Sequence, residues 1–198
     1  MVTLAAVGAL TLLTLLPGPD VAVVTRVALS RGRPAALRTS LGIVCGLLTW
    51  GLLTVAGLAA LLAASATAYT VVRLAGGAYL CLLGIRAIRS AGTAHEEAAP
   101  AHRGSPWRTG FVSNVLNPKI AAFYTGVLPQ LVPEGAPHAA GLAALVAVHV
   151  AVTLAWLALY AALVTRAARA LRRPRVRRAL DRVTGVVLLG FGVRVAAA

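Results

Sequence analysis

Charged residues are scarce in this chain. They make up 12% of its 198 residues and only five of them are acidic, whereas 59% of the residues are hydrophobic. The mean hydropathy is +0.84. Because a soluble globular protein has about 25% charged residues, too few are present here to cover the surface of a soluble domain of this size. The composition excludes that class and indicates a membrane protein.

Cysteine is nearly absent, and so are motifs that hold a metal or a cofactor. The two cysteines, Cys45 and Cys81, fall within apolar runs, where small packing residues are the simplest interpretation. The His and Glu residues of 95–102 lie in a polar segment that is typical of a solvated loop. No disulfide framework, metal-ligand spacing or nucleophile–base set is present. We therefore expect no cofactor, no metal and no enzymatic activity.

Long apolar runs make up most of the chain. About 20 mostly apolar residues are needed for a helix to cross ~30 Å of hydrocarbon. The runs resolve into six predicted spans, at residues 2–25, 41–63, 69–88, 110–131, 141–164 and 180–197. The first run lacks a basic n-region and is too long for a cleaved signal peptide, so we expect a retained helix. The predicted fold is an all-α integral membrane protein, with residues 1–198 in one transmembrane domain.

Basic residues concentrate in alternate loops. Four lie between spans one and two, four at the end of span three or in the loop after it, and eight in the loop after span five or at the start of span six, whereas residues 64–68 and 132–140 have none. Cytoplasmic loops carry the excess of Lys and Arg. The pattern predicts that both termini lie outside, with 90–109 as a cytoplasmic linker. It also argues against nucleic-acid binding, despite a net charge of +14.

The two halves of the chain share features in the same order. LLTLLPGP in span one and YTGVLPQLVP in span four each break at Leu-Pro, and spans two and five each carry one Trp. With three helices per unit, the second copy enters the membrane from the opposite side. The sequence thus predicts two inverted three-helix repeats, 1–89 and 110–198. Secondary transporters are commonly built this way, and their sites lie at matched Gly/Pro-interrupted segments.

The proline breaks in spans one and four identify the candidate site. Proline removes a backbone donor, and the freed groups must be satisfied by protein or by water in a cavity. Asp20 follows one break, and Lys119, the only lysine, follows the other at comparable depth. We predict that the two charges pair in a cavity; separate snorkelling to the cytoplasmic interface is the alternative. The candidate residues are Pro17, Gly18, Pro19, Asp20, Asn114, Asn117, Pro118 and Lys119.

Weaker candidates lie elsewhere in the spans. Tyr79 and Tyr124 have hydroxyls for a substrate, but packing or an interfacial position is the better interpretation. His149 is able to take up a proton, and a hydrogen-bonded core histidine is at least as good an interpretation. Gly42 and Gly46 form a small-xxx-small pattern that favours close helix packing, and such faces make a homodimer plausible.

Four stretches resemble the lysine exporter (LysE/RhtB) family of bacterial amino-acid exporters. They are LLPGPDVAVV, GRPAALRTSLGIVCG, LAGGAYLCLLGIRAIRS and WRTGFVSNVLNPKIAAFYTGVLPQLV, and they cover most of the first 131 residues. The resemblance implies a multi-pass inner-membrane exporter of a small amino acid or related metabolite, driven by proton or ion exchange. Its functional core would be Pro17, Gly18, Pro19, Asp20, Asn117, Pro118 and Lys119. A non-transporting membrane scaffold is the alternative function.

A zwitterionic substrate suits this pair of charges. The substrate's carboxylate is expected at a half-helix N-terminus near Lys119, and its ammonium at Asp20. Protonation of Asp20 would then release the substrate outward and couple export to proton uptake. The partners expected from the sequence are therefore an amino acid, protons and membrane lipid.

Overall fold

The structure is a computed structural model in which residues 2–65, 104–171 and 174–197 are described. Between 67 and 89 it describes residues 67, 70–71, 74–75, 78, 81–82, 85 and 88–89. All regular secondary structure in these residues is helical, as the sequence predicts. Tyr79 and residues 90–103 of the predicted linker lie outside the described residues.

Two helices cover residues 4–64 of the first half. Helix α1 (Leu4–Leu15) begins after Thr3, whose hydroxyl accepts a hydrogen bond from the Ala6 amide, and it ends just before Pro17. Helix α2 (Pro19–Ala64) starts on the second proline of the break. Proline is well tolerated at the first position of a helix, where its missing N–H would have no intrahelical partner.

A sharp kink at Gly32 divides α2. Gly32 has φ 79° and ψ 176°, a conformation open mainly to glycine, and Pro34 follows it. The sequence places spans one and two on either side of a basic segment, residues 26–40. The structure shows that helix continues through most of this segment, because its Ala, Leu and Arg residues favour helix and only Gly32 interrupts it.

Span four, predicted over 110–131 with proline breaks, is a series of short helical pieces. Asn117-Pro118 ends the first piece, and a π-helix and a 3₁₀-helix follow before Pro133. The last two helices are longer than the predicted spans 141–164 and 180–197. The elements are α3 (Pro106–Val115), α4 (Pro118–Ala122), the π-helix Phe123–Val127, the 3₁₀-helix Leu128–Leu131, α5 (His138–Leu171) and α6 (Pro174–Ala197).

Two described helical segments, Pro19–Gly57 and His138–Val164, are long and apolar enough to cross a membrane. Leu4–Leu15 and Arg182–Val193 are apolar but shorter. The full set of six spans, the inverted repeats and the outward termini stay predictions.

Two hydrophobic clusters hold the described helices together. The larger joins α1, α4, the π-helix, α5 and α6, and its fully buried side chains include Leu10, Leu13, Phe123, Tyr124 and Leu145. The smaller joins both parts of α2 to α5 through Val24, Ala28, Ile43, Leu157 and Ala161. Residues of both clusters line one cavity, so the packing positions that cavity between α1, α2 and α5.

Glycines allow α2 and α3 to pack with their backbones in contact. A Cβ on Gly42 would overlap the carbonyl of Trp107, and a Cβ on Gly110 would overlap the carbonyl of Thr39. A Cβ on Gly46 would lie 2.7 Å from Asn114 Oδ1. This is the close approach that a small-xxx-small pattern favours, and it fixes Asn114 beside α2.

Candidate functional site

The two proline breaks meet at a cavity of about 30 Å³. Its polar lining comes from five helices and consists of Thr14, Asp20, Asn114, Lys119, His149 and Thr153. A water molecule needs roughly 10–15 Å³ of such space, so the cavity has room for about two waters. An amino acid is larger, and it fits only after the walls move apart.

Asp20 is held by side chains of the opposite break. It lies in the first turn of α2, where the helix dipole favours a negative charge. Its Oδ1 accepts a hydrogen bond from Ser113 Oγ at 3.0 Å. Its Oδ2 accepts hydrogen bonds from Asn114 Nδ2 at 2.8 Å and Asn117 Nδ2 at 3.1 Å. Bonds to an ionised carboxylate are about twice as strong as neutral ones, so Asp20 ties the start of α2 to α3.

Lys119 makes the reciprocal contact with the first break. It is buried, and its Nζ donates to the carbonyl oxygens of Leu13 at 3.3 Å and Leu16 at 3.2 Å. In a continuous helix, the Leu13 carbonyl would accept from the N–H of residue 17, which is a proline without one. The ammonium therefore replaces the missing donor and places a positive charge at the C-terminus of α1, where the dipole favours it.

Gly18 and Asn117 position the lysine. A Cβ on Gly18 would lie 3.2 Å from Lys119 Nζ, so the ammonium occupies space that a larger residue would take. Asn117 caps α4, with its Oδ1 accepting from the Lys119 N–H at 3.1 Å. Because the Asn117 amide also donates to Asp20, one side chain orients both charges.

The direct Asp20–Lys119 ion pair that the sequence predicts is absent from the contacts of the described residues. Each charge instead binds the other break: Asp20 binds three polar side chains, and Lys119 binds two backbone carbonyls. The carbonyl freed by Pro17 competes successfully for the ammonium. Both charges still line the same cavity, on the side of the bundle interior.

His149 lines the same cavity and is paired with a tyrosine. Its Nδ1 lies 3.0 Å from Tyr124 Oη, and both side chains are buried. The Phe123 ring packs against the imidazole, with centroids 6.3 Å apart. Phe123 and Tyr124 belong to the π-helical segment, and such segments occur frequently at functional sites.

Side chains stabilise this irregular segment. Gln130 Nε2 donates to the Gly126 carbonyl at 2.8 Å, and Thr125 Oγ1 donates to the Ala121 carbonyl at 2.9 Å. These bonds satisfy one backbone oxygen within the π-helix and one just before it. Tyr124 is thus held in a locally supported backbone.

Sequence reasoning missed three polar residues of the site. Ser113 binds Asp20, and the Thr14 and Thr153 hydroxyls lie 3.4 Å apart at the cavity wall. A signal for Ser113 was available, because it directly precedes Asn114 in a short polar cluster. For Thr14 and Thr153 no signal exists, since 139 residues separate them and threonine is common in apolar helices.

The described part of the chain contains no group of three or more His, Cys, Asp or Glu side chains placed to hold a metal ion. The polar groups that it does bring together are a carboxylate, an ammonium, an imidazole and amide side chains. This set is able to bind a small zwitterion and to exchange a proton.

Comparison with known proteins identifies the family. The model of the LysE type translocator family matches residues 11–198. The chain is 30% identical over 183 residues to a threonine efflux protein of Escherichia coli K12, covering 89% of this chain and 88% of that protein. It is 29% identical over 190 residues to a homoserine/homoserine lactone efflux protein of Salmonella typhimurium, covering 95% and 92%. No solved structure gives a significant match.

The chain therefore belongs to the LysE type translocator family. This confirms the resemblance seen in the four sequence stretches, and with it a membrane location. A Bacillus subtilis protein described as a membrane protein is 23% identical over 194 residues and covers 92% of each chain.

Proposed function

We propose that this protein exports a small amino acid across the bacterial inner membrane in exchange for protons, as a multi-pass transporter. One observation carries the proposal: a carboxylate and a buried ammonium, each beside a proline break, line one cavity of a translocator-family chain. Relatives named as threonine and homoserine efflux proteins support a small amino acid as substrate.

The chemistry of the site suits a zwitterion. The substrate's ammonium takes the place of the amide donors on Asp20, and its carboxylate draws Lys119 away from the Leu13 and Leu16 carbonyls. Charge-assisted hydrogen bonds of this kind are the strong ones. Substrate thus binds the same groups that hold the two breaks together.

Binding therefore loosens the contact between the breaks. A ligand shifts a conformational equilibrium only through its different affinity for the two states. Here the closed arrangement satisfies Asp20 and Lys119 internally, whereas an open arrangement leaves both for the substrate. Two halves that rock around this site give alternating access.

Transport into everted membrane vesicles tests the proposal. Radiolabelled threonine, homoserine and a panel of other amino acids are offered to vesicles with an acidic interior. We expect gradient-dependent uptake by the wild type and a drop of about tenfold or more for Asp20→Asn, because a hydrogen bond to a charged group contributes roughly 1.5–3 kcal/mol.

Glu134→Gln is the matched control, because it removes an exposed acid on the loop after the 3₁₀-helix. Its uptake should equal that of the wild type. Full uptake by Asp20→Asn would refute the site assignment. Absence of flux for every amino acid would favour the alternative function, a non-transporting membrane scaffold.

A further inference from the structure

Three ionisable side chains line the cavity, and they differ in how their polar atoms are occupied. Both oxygens of Asp20 accept hydrogen bonds, from three donors in all. The Lys119 ammonium donates to two carbonyls. His149 lines the cavity and uses Nδ1 for its bond to Tyr124, so Nε2 is the ring nitrogen that this bond leaves over.

Asp20 holds the two breaks together in the closed arrangement, where its two oxygens accept from the Ser113, Asn114 and Asn117 donors of the opposite break. Protonation of Asp20 stays the alternative hypothesis for the coupling step.

We propose that His149 is the group that takes up and releases the transported proton, and that Tyr124 is a positioning residue that sets its tautomer. This inference rests on the proposed function, proton-coupled export. When Nδ1–H donates to Tyr124 Oη, Nε2 keeps its lone pair toward the cavity. One proton binds at Nε2 to give an imidazolium, and the same proton later leaves from Nε2. The Nδ1–H···Oη bond is kept throughout.

The neighbouring charges explain how proton and substrate exclude each other. The groups that face His149 across the cavity are Lys119 from α4 and Asp20 from α2, and Tyr124 faces it from the π-helix. An imidazolium in this small space repels the Lys119 ammonium and the ammonium of a substrate. Binding of one cation therefore disfavours the other, which an exchanger requires.

Reconstituted liposomes separate the coupling step from substrate binding. Two rates are measured for the same amino acid: counterflow against internal unlabelled substrate, and uptake driven by a pH gradient. We expect the wild type to show both counterflow and gradient-driven uptake. For His149→Gln, we expect the ratio of gradient-driven uptake to counterflow to fall at least tenfold, because glutamine keeps polar atoms at this site but has no titratable nitrogen.

His138→Gln is the matched control. It alters an exposed histidine at the start of the same helix, and its ratio should equal that of the wild type. Tyr124→Phe keeps His149 but removes the partner of Nδ1, and it should shift the pH profile of gradient-driven uptake.

The outcomes distinguish the two proposals. An unchanged ratio in His149→Gln overturns the role of His149 and leaves the exporter function intact. Counterflow by the wild type without any response to the gradient overturns proton exchange, and His149's role with it. Absence of counterflow by the wild type across the amino-acid panel overturns the proposed function. If His149→Gln does not fold, an unchanged pH profile in Tyr124→Phe overturns the inference.

Discussion

At the scale of single residues, Lys119 acts on the backbone of a distant helix. Its ammonium is the donor that Pro17 cannot supply to the Leu13 carbonyl, and it also binds the Leu16 carbonyl. This explains why a buried charge is tolerated beside a proline break. It also explains why the break includes Gly18, since a Cβ there would lie 3.2 Å from the ammonium.

Lys119→Met should destabilise the protein as well as stop transport. The substitution leaves two carbonyls without their donor, and each buried unsatisfied polar group costs about 1–3 kcal/mol. The free energy of unfolding, measured by denaturant titration in detergent, should fall by at least that amount. Arg33→Met removes an exposed positive charge and should leave stability unchanged. Equal stability of Lys119→Met and the wild type would contradict the capping role.

Gly18→Ala should weaken transport by crowding the ammonium. The added methyl contacts Lys119 Nζ and Cε, at 3.2 and 3.5 Å, and shifts the charge from the two carbonyls. Vesicle uptake should drop several-fold. Gly8→Ala is the control within α1, because a Cβ at Gly8 meets no heavy atom within 4 Å. It should keep full uptake and add helix stability of about 1 kcal/mol. Uptake that falls equally in both variants would contradict the prediction.

At the scale of helices, each break is stabilised by the other half of the chain. Asp20 at the start of α2 binds side chains of α3 and of the turn before α4, and Lys119 of α4 binds the end of α1. The crossed arrangement means that neither break is satisfied alone. It also requires α2 and α3 to lie close together, which the glycines at their contact allow.

Gly110→Ala tests that contact. Its Cβ would overlap the carbonyl of Thr39, and backbone atoms cannot rotate away as a side chain does. The helices must separate, at a cost of about 1–3 kcal/mol or more. The separation moves Asn114 away from Asp20, so both stability and vesicle uptake should fall. Gly57→Ala on α2, where a Cβ meets open space, should keep full uptake and add helix stability of about 1 kcal/mol. Wild-type behaviour of Gly110→Ala would show that the helices are not in backbone contact.

The π-helical turn in predicted span four was not foreseen, although the sequence predicted proline breaks in this span. Hydropathy alone predicts one apolar span over residues 110–131. It does not distinguish a π-helix from an α-helix, because both bury similar side chains. In and beside the π-helical turn, the side chains of Thr125 and Gln130 donate to backbone oxygens. Those bonds depend on local geometry that hydropathy does not contain.

At the scale of the whole molecule, the predicted topology is directly testable. The arginine-rich loops place Arg33 inside and Glu134 outside. In a background without Cys45 and Cys81, a membrane-impermeant maleimide should label Glu134→Cys in intact spheroplasts. It should label Arg33→Cys only after permeabilisation. Labelling of Arg33→Cys in intact spheroplasts would reverse the predicted orientation. A homodimer also stays a prediction, and cross-linking in membranes would test it.

The local sequence was enough to predict the class of protein and the positions of its proline breaks. Scarce charge and long apolar runs indicate a membrane environment. Pro17, Pro19 and Pro118 each lack an N–H, so each interrupts helical hydrogen bonding at its own position. The resemblance to the translocator family, carried by the same motifs, was confirmed. These features depend on residues that are near one another in the chain.

Only the tertiary structure decided which partner each charge takes. Asp20 and Ser113 are 93 residues apart, and Lys119 and Leu13 are 106 apart, so chain spacing does not determine their contacts. The sequence predicted that Asp20 and Lys119 would attract each other. The fold instead offered Lys119 two carbonyls and Asp20 three donors, and it placed His149, bound through Nδ1 to Tyr124, on the cavity they share. Attraction between opposite charges is general, but an orphaned carbonyl within reach depends on how the helices pack.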